Sequence, residues 1–252
     1  MSDDRNRYLY VLRLADNALV LGQRLSEWIG HAPALEEEMA TANVSLDLIG
    51  QAKSWLEYAA ELGGDERDAD TLAFHRDVLD FHNTLLVEQP NGDYALTIAR
   101  QFLFDAFHMP LLEQLSRSGD ERVAEIAAKS AKEAGYHIRR SSEWMIRFGD
   151  GTDESHQRVQ AAVDRLWPYT GELFTGDALD EAMHQAGVGA DLAEVREQWS
   201  ATVDEVFAEA TLRRPEDGWM QSGGKQGEHS EHLGFLLAEM QFLPRAYPDA
   251  RW

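Results

Sequence analysis

Apolar residues recur along this chain at intervals of three and four, and strand-like alternation is scarce throughout. Val11, Leu14, Ala18, Leu21, Leu25 and Trp28 define one buried stripe of a first long helix, which Gly30 and Pro33 end. A second helix is predicted from Leu35 to Leu62, with Ala42, Leu46, Ile49, Leu56 and Ala60 facing inward, and the Gly63-Gly64 pair stops it. The two read as an antiparallel hairpin. A shorter helical segment from about Asp70 to Val87 leads to Pro90-Asn91-Gly92, a turn that separates two halves.

The third long helix runs from Asp93 to about Arg117, with Ile98, Phe102, Met109 and Leu112 on one stripe. The fourth runs from Asp120 to Phe148 and closes at Gly149-Asp150-Gly151. Four helices of this length make a bundle. Three further helical stretches follow, Asp153 to Thr170, Asp177 to Gln185 and Asp191 to Leu212, each opening on an aspartate suited to capping backbone N–H groups. Gln221 to Gly227 reads as a flexible loop, and Glu228 to Leu243 as a last helix before Pro244 and Pro248. The expected fold is all-α: a four-helix bundle within 3–149 and additional helices within 153–247, in one domain spanning 1–252.

Composition narrows the function more than the fold. At 252 residues, with 44% hydrophobic and 27% charged positions, the chain has the makings of an ordinary globular core. Its 45 acidic and 23 basic residues give a net charge of -22, which would be repelled by phosphate backbones and anionic lipid, so neither nucleic acid nor a membrane is an expected partner. Without cysteine there is no disulfide, thiolate metal site or cysteine nucleophile. The charged start, Met1-Ser-Asp-Asp-Arg5, has neither a signal peptide nor a spanning helix, and a cytoplasmic location is expected.

A carboxylate-rich helical bundle raises the possibility of a di-iron centre, which needs four carboxylates and two histidines projecting from four helices, usually through two Glu-x-x-His motifs. Three-residue spacing stacks both side chains on one helix face. The strict match, Glu181-Ala-Met-His184, lies on a short segment; Asp153-Glu-Ser-His156 and Asp105-Ala-Phe-His108 are near-matches, and the latter sits on a bundle helix. On the fourth helix Glu133 is followed by Tyr136 and His137, the histidine one position late, and Asp47-Leu-Ile-Gly50 ends in glycine where an imidazole is needed. Such a set is eroded. Asp47, Asp105, His108, Glu133 and His137 are therefore expected to form a buried polar network where metal would sit, with Asp16, Asn17 and Asn43 as possible additions.

The tail offers Gly223-Gly-Lys-Gln-Gly227 followed by Glu228-His-Ser-Glu-His232, which fits neither a phosphate loop nor a zinc helix, since Gln226 follows Lys225 and His-Glu-x-x-His is absent. Lys225, His229 and His232 are candidates for contact with an anion, such as part of a coenzyme A phosphate, or with a partner chain. No Gly-x-Ser-x-Gly elbow supports a hydrolase. The tryptophans, including Trp28, Trp55, Trp144, Trp167 and Trp199, fall mostly within helices and fit core packing or subunit contact.

Several longer strings are more specific: Leu12-Arg-Leu-Ala-Asp-Asn-Ala-Leu-Val-Leu-Gly-Gln-Arg-Leu25, Leu46-Asp-Leu-Ile-Gly-Gln-Ala52, Leu86-Val-Glu-Gln-Pro-Asn-Gly92, Glu133-Ala-Gly-Tyr-His137 and Glu231-His-Leu-Gly234. Through them the whole chain resembles the structural, ferritin-like subunit of bacterial phenylacetyl-CoA epoxidases, which are multicomponent monooxygenases. The resemblance implies a complex in which a sister ferritin-like subunit carries the di-iron centre. A reductase subunit, with flavin and iron–sulfur groups, passes electrons from NADPH, and oxygen epoxidises the aromatic ring of phenylacetyl-CoA. It implies a chain with no catalytic residue, metal or cofactor of its own, paired with the catalytic subunit in a heterodimer that assembles further. The alternatives are a di-iron oxygenase subunit with an atypical ligand set and a helical binding protein unrelated to oxygen chemistry.

Overall fold

The structure, a computed structural model, describes residues 3–64, 66–248 and 250. Among them there is no strand, and two compact units form: Met1–Pro90 with Gly223–Trp252, and Asn91–Ser222. The boundary falls at the predicted Pro90-Asn91-Gly92 turn, while the return of the C-terminal segment to the first unit has no signature in the helical pattern.

In the first unit, α1 (Asp3–Glu27) and α2 (Leu35–Gly63) form the predicted hairpin. Small polar residues bring the two helices close. The Ser45 hydroxyl lies 2.8 Å from the Gly22 carbonyl and 2.8 Å from the Ser26 hydroxyl. Glu38, in the first turn of α2, reaches back to accept from the Gly30 and Ala32 N–H groups, and Gly64 ends the helix in the left-handed conformation. The buried face of α2 differs from the predicted one. It follows Thr41, Val44, Ser45, Leu48, Gln51, Ala52, Trp55, Leu56 and Ala59, whereas Leu46 is 66% exposed and Ala42, Ile49 and Ala60 are half-buried. Because the buried stripe includes Thr41, Ser45 and Gln51, apolar identity alone puts the helix face out of phase.

The helix expected over 70–87 is confined to α3 (Ala69–Phe74), capped by Asp68, plus one 3-10 turn at Val78–Asp80. The reason is capture by α1. Asp16, fully buried, pairs with both terminal nitrogens of Arg76 and accepts from the His82 N–H at 2.9 Å. Asn17 accepts from the Thr84 N–H and hydroxyl, both at 2.9 Å. Donors that a helix would satisfy internally are satisfied by side chains of another helix, so the segment stays irregular while buried.

The stretch from 223 to 227, predicted to be flexible, is instead packed tightly. A side chain on Gly224 would lie 2.2 Å from the Asn83 carbonyl, and Gly227, at φ +84°, faces the Leu79 carbonyl. The last helix starts later than predicted, at α9 (Glu231–Met240), because His229 and the Ser230 N–H are engaged elsewhere; α10 (Phe242–Ala246) follows after a break at Gln241, with Pro244 in its first turn.

The second unit begins with α4 (Tyr94–Leu115) and α5 (Glu121–Gly149), joined by a short turn and packed together. Asp93 and Asp120 cap them, accepting from Leu96 and Val123 at 2.9 and 3.0 Å. From Ala95 to His108, α4 is buried without interruption. Then come α6 (Asp153–Leu166), α7 (Ala178–Gln185) and α8 (Leu192–Glu209). Asp177 and Asp191 cap as predicted, but α6 is capped by Thr152 rather than Asp153. Trp199 holds α8 to α4: its indole donates to the Leu103 carbonyl at 3.0 Å and its ring lies 5.5 Å from Trp167.

Replacing Asp16 by alanine would strand Arg76 and the His82 N–H without their acceptor. Asp16→Ala is expected to lower unfolding free energy by about 3–5 kcal/mol, and Asp16→Asn, which retains an acceptor, by less. Urea titration of both variants checks this ordering.

Candidate functional site

Helical spacing brings the second unit's candidates together. On α4, Gln101, Asp105 and His108 recur at four and three residues and share one face; on α5, His137 and Ser141 do the same. Asp105 is almost wholly buried, and both of its oxygens are taken: Oδ1 accepts from Gln101 Nε2 at 2.7 Å and Oδ2 from the Ser141 hydroxyl at 2.8 Å. Burial pushes its carboxyl up to about 6, against the pull of His137, Ser141, Gln101 and Arg140. His108, buried against the Phe104 ring, is driven down to about 3 by burial and by His137 beside it. It is a neutral imidazole at physiological pH.

The other sequence candidates lie elsewhere. Glu133 is half-buried on α5, and Asp47 is half-buried on α2 of the first unit. Asn43 is exposed, and Asp16 and Asn17 serve the 76–84 segment rather than the Asp105 cluster. Glu181 and His184 are exposed on α7, and His156 faces the Gly149 carbonyl at 2.8 Å.

A di-iron centre does not fit these residues. Among the described residues, no group of three or more histidines, cysteines or carboxylates is placed to hold a metal ion. Buried polar atoms at the cluster, His108 Nδ1 and Gln101 Oε1 among them, do lack a hydrogen-bond partner there. The carboxylates are the shortfall: Asp105 is the buried acid on this face, and neutral donors occupy both its oxygens.

The tail candidates form a second polar cluster in the first unit. Glu88, fully buried, accepts from the Ser230 N–H at 2.7 Å, from His229 Nδ1 at 2.9 Å and from Asn83 Nδ2 at 3.2 Å. His229 Nε2 lies 2.9 Å from the Phe81 carbonyl. Both ring nitrogens face acceptors, the arrangement of an imidazolium. Burial alone would lower this histidine, but the bonds to Glu88 and Phe81 outweigh it and raise it. Arg24 donates to the Glu88 carbonyl at 2.9 and 3.1 Å and to the His232 carbonyl at 2.8 Å. Lys225 is buried, and its carbonyl faces His82. Glu88, Arg24 and Arg76 were missed by motif search; an acid directly after the run Leu85-Leu86-Val87 was the available signal for Glu88.

Helical hairpins in both units, one with an acid and histidines buried on its inner face, define an all-α chain of the ferritin-like class. The family model described as phenylacetic acid catabolic protein matches residues 1–252, and the chain belongs to that family. A curated relative is a subunit, lettered C, of the 1,2-phenylacetyl-CoA epoxidase of Escherichia coli (strain K12), 52% identical over 243 residues, covering 96% of this chain and 98% of that one. The resemblance read from the five sequence strings is borne out. No helix among the described residues is long and apolar enough to cross a membrane.

The two shifted groups on α4 pull stability in opposite directions with pH. Asp105, raised when folded, costs stability above about 6, and this cost is relieved as pH falls toward the unfolded carboxylate range. His108, depressed when folded, loses stability as pH falls from about 6.5 toward 3. Asp105→Asn removes only the first effect. From pH 6.5 to pH 4 it should therefore lose about 2–3 kcal/mol more unfolding free energy than the parent, read by denaturant titration across pH; superimposable profiles would contradict the reading.

Proposed function

We propose that this chain is the non-catalytic structural subunit of a phenylacetyl-CoA ring epoxidase in aerobic phenylacetate degradation. It supports a sister ferritin-like subunit that carries the di-iron centre, and it holds no metal or cofactor itself. Electrons come from NADPH through the flavin and iron–sulfur groups of a reductase subunit, and the complex works in the cytoplasm. The observation that carries the reading is the shortage of acids around Asp105: Gln101 and Ser141 donate to its two oxygens, and among the described residues its neighbours do not supply the remaining carboxylates that a di-iron centre needs. The family and the name of the related epoxidase subunit support the same assignment.

In this reading the chain's own residues build and hold a partner surface rather than reacting. Gln101 and Ser141 fix Asp105, and Trp199 ties α8 to α4. A stable complex with the catalytic subunit should bury well over about 1,000 Å².

Iron retained per chain after anaerobic loading with ferrous iron and desalting provides the test. The expected value is close to zero for the isolated chain, with a stable complex on co-expression with the catalytic subunit. About two irons per chain, lost in Asp105→Ala, would make this a catalytic subunit. No complex with the sister would instead leave a binding protein of another kind.

A further inference from the structure

The first unit is discontinuous: its C-terminal part, from Gly223 onward, joins the hairpin of α1 and α2 only after the chain has passed through the second unit. Where it re-enters, His229 meets Glu88 in a site withdrawn from water, the two side chains being 1% and 0% exposed. His229 Nδ1 lies 2.9 Å from a Glu88 oxygen, and Nε2 lies 2.9 Å from the Phe81 carbonyl. A carbonyl oxygen only accepts, and Glu88 accepts from the Ser230 N–H and the Asn83 amide as well. Each ring nitrogen must then carry a proton, so the contact is made by the imidazolium and by neither neutral tautomer.

Different chemistry fastens the two ends of this segment. At the far end Gln241 donates to the Ala73 and Arg76 carbonyls at 3.1 and 3.0 Å, and Arg245 donates to the Phe74 and Arg76 carbonyls and pairs with Asp77. Those donors keep their protons through the range in which a histidine titrates. The near end depends on His229. Loss of one proton would set a ring lone pair against the Phe81 carbonyl or the Glu88 carboxylate, and would leave that buried carboxylate with the neutral donors Ser230 and Asn83 in place of a cation. Of the other charged or titratable groups nearby, Asp16 on α1 adds to the pull of Glu88 on the proton and is itself bonded to Arg76. Arg24 binds the Glu88 and His232 backbone carbonyls, His82 faces the Lys225 carbonyl, and Glu228 and Glu231 are exposed on the segment itself.

We propose that His229 and Glu88 form a proton-dependent latch: residues 228–233 stay docked on the first unit while His229 is charged and open when its proton is lost to solvent, with α10 still held through Gln241 and Arg245. The direction follows from linkage. His229 is raised when folded, so the latch's stabilisation is fully present below the unfolded histidine value of about 6.5 and is lost as pH rises through the folded value. The inference does not rest on the subunit assignment, since it concerns how the first unit closes and the iron test concerns the second.

Hydrogen exchange of the full chain, read by mass spectrometry from about pH 6 to about pH 10 with each rate normalised to that of an unstructured amide at the same pH, tests it. Protection over 228–233 should fall as His229 deprotonates, while that of α2 stays constant. Imidazole NMR signals report the titration itself, His229 being assigned by its loss in His229→Gln. The two readouts count the same proton and must agree: protection should fall about tenfold for each pH unit by which His229 titrates above an unfolded histidine. In His229→Gln, which has no proton to lose in this range, protection over 228–233 should be below the parent's at pH about 6 and flat as pH rises. Glu88→Gln should also abolish the step, and protection of α2 shows whether each variant folds; should Glu88→Gln unfold, His229→Gln decides alone. A His229 signal titrating at or below about 6.5, a step that survives in His229→Gln, or loss of protection over α2 and 228–233 together would each overturn the proposal.

Discussion

Asp16 sits on α1 with its carboxylate fully removed from water, and such a group is tolerable only when it is paired with a cation and hydrogen-bonded. Arg76 and the His82 N–H supply these partners, and Asn17, one residue on, takes Thr84 in the same way. Much of the first unit follows from this. The 75–90 segment is held in an irregular, turn-rich path against α1, the Asn83 carbonyl faces Gly224, and Glu88 is placed to receive His229 and Ser230. Arg24 completes the arrangement by binding the carbonyls of Glu88 and His232. Side chains from α1 thus do the work that a sheet or a helix would otherwise do for this backbone.

Asp105 in the second unit is as deeply buried as Asp16 but is held by an amide and a hydroxyl rather than by a guanidinium. Neutral donors compensate less of the desolvation, and the carboxyl is raised accordingly. His108 beside it is held neutral for the complementary reason. Asp105, Gln101 and Ser141 are thereby linked by hydrogen bonds that join α4 to α5.

The long helices were legible because their stripes are regular and their ends are marked by Asp93, Asp120, Gly64 and Gly149. Asp105 and His108 could be singled out because spacing on a long helix settles which residues share a face. What was illegible depends on partners far away in the chain. Nothing in the 75–90 stretch announces that Asp16 will take its donors, so a helix was the natural reading; glycines 223–227 looked mobile because composition does not reveal that the Asn83 and Leu79 carbonyls press against them. The phase of α2 failed for a different reason: Thr41, Ser45 and Gln51 are buried, Ser45 against the Gly22 carbonyl and the Ser26 hydroxyl, while an apolar residue, Leu46, faces out.

The discontinuity of the first unit has a bearing on how the molecule is made. Glu88 leaves the ribosome well before His229 and Ser230, its partners 141 and 142 residues downstream. At ordinary elongation rates that interval is on the order of ten seconds. During it the 91–222 segment can emerge and fold while the hairpin of α1 and α2 waits with an acid that has no imidazole to meet. The first unit therefore stays open to holdases and proteases throughout that interval, and its closure follows the synthesis of the 91–222 segment rather than preceding it.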